Sequence, residues 1–261
     1  MLELRPLPAF NDNYFWVFGQ RGSAQVCVVD PGDASPVLRY LQEQKLTLEA
    51  ILLTHHHADH IGGVQDLLDH ALVPVYGPRS SRMPCVSHVV GAGDTVTFAA
   101  TRFEVLHVPG HTLDHIAWFS PASEHAREPI LFCGDTLFGA GCGRMFEGTP
   151  PVMQASLQQL ANLPPATRVC CAHEYTLSNL RFAAAVMPGN AAVKQRSVRD
   201  QALRDAGSPT LPSQLADELA TNPFLRCGEP EVVAAVQRHA PGSGSDPASV
   251  FGVLRRWKDT F

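Results

Sequence analysis

Four residues within six positions, His55-x-His57-x-Asp59-His60, carry the donor types of a divalent-metal site. In an extended segment, residues two apart point the same way, so His55 and His57 can grip one metal together. If a helix starts just beyond, Asp59 and His60 project from its first turn toward a neighbouring position. Imidazole and carboxylate donors suit a borderline cation such as zinc. His56, between ligands, is expected to point away from the metal and to support or pack.

One loop cannot complete such a site, because a catalytic metal needs donors from elsewhere in the chain. Three more strand ends offer them, each beside a glycine or small residue. Gly110-His111-Thr112, Cys133-Gly134-Asp135-Thr136 and Cys171-Ala172-His173 each follow an apolar run. A single Gly-Asp at a strand end reads as a turn. Four strand ends that present ligand types in series read as a metal site.

The elements that must position these residues follow from periodicity. Tyr14–Phe18 and Gln25–Asp30 pattern as paired strands, and Ser35-Pro36 opens a helix with Val37, Leu38 and Leu41 on one face. Ala50–Leu53 is apolar throughout, as a strand buried on both faces would be, and runs straight into the histidine cluster. Ile61–His70 patterns as one helix. Strands are expected near 73–76, 95–98, 102–108, 115–119, 130–133 and 168–171, and a helix over 150–160. From Glu174 the period changes, and 176–186, 191–206, 215–220, 231–238 and 246–258 all pattern as helices. The sequence thus predicts an α/β (α+β) chain with domains at 1–173 and 174–261.

Composition narrows the classes. The chain has 261 residues, 45% hydrophobic and 17% charged, with 20 glycines and 21 prolines, which suits compact, turn-rich domains. Net charge is −5, so no nucleic-acid partner is expected. Residues 174–261 hold 10 Lys+Arg against 9 Asp+Glu, leaving the acidic excess upstream, where the metal ligands lie. Seven irregularly spaced cysteines form no C-x-x-C pair and read as buried thiols. Cys142 reads as a tight-loop residue rather than a nucleophile. No apolar run reaches the ~20 residues of a membrane helix, and Pro6 and Pro8 argue against a signal peptide. A cytoplasmic protein with no membrane partner, acting as a monomer, is expected.

Taken together, Thr54–His60, Gly110-His111-Thr112, Gly134-Asp135 and Ala172-His173 resemble the serial ligand motifs of the metallo-β-lactamase superfamily. The resemblance implies an αββα sandwich. It further implies that His55, His57 and His111 hold one metal, that Asp59, His60 and His173 hold a second, and that Asp135 bridges them. A hydroxide held between the metals, with Asp59 and Asp135 acting through it, would be the nucleophile. Two divalent ions are implied, zinc foremost, with iron or manganese as alternatives.

A narrower resemblance comes from Asn11-Asp12-Asn13-Tyr14, Ala140–Arg144, His173-Glu174-Tyr175-Thr176, Thr221–Arg226 and Leu254–Asp259. These resemble glyoxalase II, the hydroxyacylglutathione hydrolase family, over nearly the whole chain. That family hydrolyses S-D-lactoylglutathione to D-lactate and glutathione in methylglyoxal detoxification. Arg144, Tyr175, Arg255 and Lys258 would then contact the glutathione thioester, with Arg255 and Lys258 on one helical face meeting a carboxylate. Phe146 replaces the hydroxyl-bearing Tyr of some members, Arg144 stands where some have Lys, and Asp114 stands where Gly is usual. The rival readings are an iron-dependent glutathione persulfide dioxygenase and a lactonase-type hydrolase of the same fold; the C-terminal motifs oppose both.

Overall fold

A computed structural model describes residues 1–261. In chain order it runs β1 (Leu2–Ala9), β2 (Asn13–Gln20), β3 (Gln25–Val29), α1 (Ala34–Gln44), β4 (Thr47–Leu52), α2 (Ala58–Ile61), α3 (Val64–His70), β5 (Val75–Pro78) and β6 (His88–Val90). There follow β7 (Thr95–Phe98), β8 (Thr101–His107), β9 (Ile116–Ser120), β10 (Ile130–Gly134), β11 (Leu137–Phe138), β12 (Gly141–Cys142), α4 (Pro150–Ala161) and β13 (Arg168–Cys171). The remainder is α5 (Thr176–Val186), α6 (Ala191–Asp205), β14 (Ser213–Gln214), α7 (Leu215–Thr221), α8 (Pro230–His239) and α9 (Pro247–Thr260). No helix is long and apolar enough to cross a membrane.

The chain forms two compact units. The first comprises Met1–Val108, Asp114–Gly134 and Arg168–His173; the second comprises Pro109–Leu113, Asp135–Thr167 and Glu174–Phe261. The first unit holds two sheets. One has the order β1-β2-β3-β4-β5-β6, antiparallel from β1 to β3 and parallel thereafter. Within this unit the other runs β13-β10-β9-β8-β7.

Aromatic side chains fill the space between the sheets. Phe18 of β2 lies 5.2 Å from Phe103 of β8 and 5.3 Å from Phe132 of β10, centroid to centroid, and all three are buried. Two polar handles complete this layer: Trp16 Nε1 donates to the Cys171 carbonyl at 2.9 Å and Trp118 Nε1 to that of Leu53 at 3.2 Å. The first sheet's opposite face packs Phe15, Val17, Val28 and Ile51 with Val37 and Leu41 of α1 and Val64 and Leu67 of α3.

Two local departures from the sequence reading have clear causes. The first strand expected is Tyr14–Phe18, yet β1, which holds Pro6 and Pro8, pairs along all of β2 as the sheet's edge strand, where proline is tolerated. The single helix expected over Ile61–His70 is two, α2 and α3, divided at Gly62-Gly63. A Cβ at Gly63 would lie 2.4 Å from the Asp33 carbonyl carbon, so this close approach needs glycine.

In the second unit a buried ionic cluster ties helices to the β11–β12 hairpin. Arg196 of α6 reaches Asp200 at 3.1 Å, Glu218 at 2.7 Å and Thr221 at 2.8 Å. Glu218, with no exposed surface, also accepts from Ser213 Oγ at 2.6 Å and from the Ala140 amide at 2.7 Å. Asn222 Nδ2 donates to the Gly141 carbonyl at 2.9 Å. Replacing Arg196 with Met strands two buried carboxylates, so a loss of about 3–5 kcal/mol is expected. Urea denaturation followed by circular dichroism measures it; an unchanged midpoint contradicts the role given to the cluster.

Candidate metal centre

The site in the first unit is built where β3 and β4 end side by side. Asp30, just past β3, adopts a left-handed backbone (φ 52°) that Asp tolerates. Its buried carboxylate accepts from the Thr54 amide at 2.8 Å, from Thr54 Oγ1 at 2.7 Å and faces His60 Nδ1 at 3.0 Å. Because the Thr54 hydroxyl proton goes to Asp30, Thr54 Oγ1 must accept from His55 Nδ1, 3.0 Å away. His55 is thereby held with the lone pair on Nε2, which faces His57 Nδ1 at 3.1 Å.

His56 turns to different partners. Its Nδ1 lies 2.9 Å from the Asp114 carboxylate, and Arg82 Nη1 donates to its Nε2 at 2.7 Å. Asp114, which stands where Gly is usual in the family that the chain resembles, is thus the acceptor that holds His56. His115 is buried and stacks on His55, with centroids 4.5 Å apart and planes at 17°. A Cβ at Gly134 would meet Thr54 Oγ1 at 2.4 Å and His115 Nε2 at 2.9 Å, which makes glycine obligatory before Asp135.

Asp59 and His60, from the first turn of α2, meet His173, just past β13, in the second group, whose ligand atoms lie within 4.8 Å of one another. Asp59 Oδ2 is 3.6 Å from His60 Nε2 and 3.5 Å from His173 Nε2. Tetrahedral donors about 2.1 Å from a zinc-sized ion stand about 3.4 Å apart, so the spacing fits. On the far side of each ring a carboxylate faces Nδ1: Asp30 for His60, and Asp12 at 2.8 Å for His173. Such carboxylates fix the tautomer that leaves Nε2 free to ligate. Asn13 Nδ2 donates to Asp59 Oδ2 at 3.1 Å and orients it. Asp30, His55 and His60 also lie within ligating distance of one another, but Asp30 already accepts from its neighbours and acts as a backing group.

His111 and Asp135 meet in the second unit, with His111 Nε2 3.3 Å from Asp135 Oδ2. His111 Nδ1 is 2.8 Å from the Arg144 carbonyl, which can only accept, so this ring also keeps its Nε2 lone pair. A Cβ at Gly143 would fall 2.0 Å from the Asp135 carbonyl oxygen. Phe146 stands edge-on to His111 at 5.3 Å and is 64% exposed.

His111 and Asp135 line a cleft of about 360 Å³ that also takes in Arg144, Tyr175, Arg255 and Lys258. This volume suits a small molecule. Arg255 differs from the open carboxylate contact that helical spacing suggests. It is buried, its Nη1 donates to the Cys142 carbonyl at 2.9 Å and its Nη2 to Asp259 at 3.1 Å. Lys258 Nζ rests 5.6 Å over the Phe182 ring, and burial, with Arg255 and Arg181 nearby, pushes its pKa down. Burial raises the Cys142 thiol to about 11, so it is protonated at neutral pH and unsuited to attack.

Asp30 escaped the sequence reading, while Asp12, Asn13 and Asp259 appeared in motifs without individual roles. Asp30-Pro31-Gly32 looks like an ordinary turn, and only the adjacency of β3 and β4 brings it to Thr54.

Comparison with known proteins agrees with this geometry. Residues 11–173 match the family model of the metallo-beta-lactamase superfamily, and residues 174–261 match that of the hydroxyacylglutathione hydrolase C-terminus. The chain is 50% identical to a hydroxyacylglutathione hydrolase of Ectopseudomonas mendocina (strain ymp), over 100% of both chains. It is 52% identical to one from Xanthomonas campestris pv. campestris (strain B100), over 100% of this chain and 99% of the relative. In fold it resembles ETHE1 from Myxococcus xanthus, with TM-score 0.64, 23% identity, and coverage of 100% and 99% of the two chains. TTHA1623 in a di-iron-bound form covers 65% of this chain and 91% of its own, at 29% identity and TM-score 0.54. The fold is that of the metallo-beta-lactamases, and its His and Asp clusters imply divalent metal.

The backing carboxylates generate a measurable expectation. Asp30→Asn and Asp12→Asn should each lower metal affinity about 10–100-fold. Chelator competition with atomic-emission metal analysis reads this directly, and wild-type retention in both variants contradicts the arrangement.

Proposed function

Because this chain belongs to the hydroxyacylglutathione hydrolase family of the metallo-beta-lactamase superfamily, we propose that it hydrolyses S-(2-hydroxyacyl)glutathione thioesters, S-D-lactoylglutathione foremost, to the hydroxy acid and glutathione. The observation that carries the reading is the match of the helical segment 174–261, which contains no metal ligand and supplies Tyr175, Arg255 and Lys258 to the cationic cleft. Segment 1–173 is proposed as the catalytic domain and 174–261 as the glutathione-binding domain. The role proposed for the reaction is detoxification of methylglyoxal, carried out by a monomer in the cytoplasm, where seven cysteines outside any disulfide persist.

The proposed ligand set is His55, His57 and His111 for one ion, Asp59, His60 and His173 for a second, and Asp135 shared. Zinc is the ion of choice for these donors, and iron and manganese accept the same set. When bound, such ions supply a nucleophile from water at neutral pH and draw charge from the thioester carbonyl. The protein's own groups do the rest. Asn13 holds the Asp59 carboxylate, Thr54 and Asp30 fix the His55 tautomer, and the Arg144 carbonyl fixes that of His111. Arg144 and Lys258 provide charge for the two carboxylates of glutathione, and Tyr175 an aromatic wall with a hydroxyl. A thiol has a far lower pKa than an alcohol, so the sulfur departs as thiolate without a dedicated acid.

S-D-lactoylglutathione should lose its thioester ultraviolet absorbance on addition of the metal-loaded protein, with no oxygen uptake. Chelation should abolish the activity, and Asp135→Asn should lower metal content and turnover together. Full turnover by metal-depleted Asp135→Asn protein would sink the assignment. Phe146→Tyr, which restores a hydroxyl at the cleft rim, should lower KM a few-fold and leave kcat nearly unchanged.

A further inference from the structure

The cations of the cleft share one carboxylate, that of Asp259. Its Oδ1 lies 3.1 Å from Arg255 Nη2 and 3.4 Å from Arg144 Nε. Resting on the hydrolase reading above, we propose that Asp259 is a positioning residue for substrate, arranging the guanidinium that receives a peptide carboxylate although its own charge opposes that carboxylate.

Two effects of opposite sign compete here. A negative charge beside an anion site weakens anion binding through Coulomb repulsion. A carboxylate that pre-orders the receiving cation strengthens it, because less side-chain freedom is lost on association. The geometry decides for the second. Arg144 is a long side chain, 67% exposed, and nothing in its own backbone would hold it at one orientation. Asp259 engages its Nε and leaves both Nη ends of the planar fork for a bidentate partner.

The same pair also holds the backbone from which Arg144 projects. Arg255 Nη1 donates to the carbonyl of Cys142, two residues before Arg144, and its Cζ sits 5.1 Å over the Phe224 ring. A guanidinium only 6% exposed requires an anion close by, and Asp259, one helical turn on, supplies it. Both ends of Arg144, backbone and guanidinium, are therefore tied to one Arg255–Asp259 pair. Repulsion is the weaker effect because charge is not scarce: Arg144, Arg181 and Arg255 all act on Lys258 against the single Asp259.

The test is Asp259→Asn in metal-loaded protein, read by calorimetric binding of free glutathione and by KM and kcat for S-D-lactoylglutathione. Glutathione affinity should fall and KM rise about ten-fold, with the change in kcat below about two-fold. The lactoyl thioester of N-acetylcysteamine, which has no carboxylate, should show no such rise. In an Arg144→Ala background, Asp259→Asn should add less than about a two-fold effect. Should Asp259→Asn fail to fold, Arg144→Lys tests the same contact, since an ammonium cannot engage Asp259 and still offer a fork. Its KM should rise above the wild-type value while staying below that of Arg144→Ala, because the charge is kept and only the fork is lost, and a wild-type value overturns the proposal. Tighter or unchanged glutathione binding by Asp259→Asn also overturns it. Failure of the wild-type protein to hydrolyse the thioester would remove the hydrolase reading instead, a separable result.

Discussion

A carboxylate removed from water must be met by donors, and Asp30 is where this constraint organises the candidate metal ligands of the first unit. Three donors converge on it, the Thr54 amide, the Thr54 hydroxyl and His60 Nδ1. Each satisfies the buried charge and is itself fixed in return. Through Thr54 the constraint passes to His55, and through His60 to Asp59, whose carboxylate faces the His60 ring. It holds only because β3 and β4 run parallel with Val29 opposite Leu52, which sets Asp30 beside Thr54. The aromatic layer of Phe18, Phe103 and Phe132 secures that sheet from within.

The second unit solves a similar problem with a different charge. Glu218 is buried and surrounded by Arg196, Ser213 and the Ala140 amide, and Asn222 caps the neighbouring Gly141 carbonyl. These contacts fix the β11–β12 hairpin and, through it, Cys142 and Gly143 ahead of Arg144. The helical segment therefore does more than supply cleft residues. It holds the loop whose Arg144 carbonyl fixes the His111 tautomer, so the His111 ring and the lining of the cleft in this unit share one support.

Much of this was legible in the residues. The pattern His55-x-His57-x-Asp59-His60 needs only alternation and the start of a helix to place its donors, and both are local properties. Gly110-His111, Gly134-Asp135 and Ala172-His173 announced themselves because a small residue after an apolar run marks a turn. Helix limits in 174–261 followed from Pro and Gly punctuation. The edge strand β1 did not, because its prolines obscure the pairing that only an edge position allows. Neither did the break at Gly62-Gly63, which arises from packing against the turn at Asp33.

What the sequence by itself determined is the inventory and the local direction of the donors, since residue type, alternation and turn chemistry are short-range. The tertiary structure alone decided which carboxylate backs which imidazole. It paired His60 with Asp30, His173 with Asp12 and His56 with Asp114, across sequence separations no motif spans. It likewise turned Arg255 from an open contact into a buried support joined to Asp259. The physical reason is the same in each case. A buried polar group accepts whatever partner the packing of distant strands and helices brings within about 3 Å, and that partner is specified by the fold as a whole.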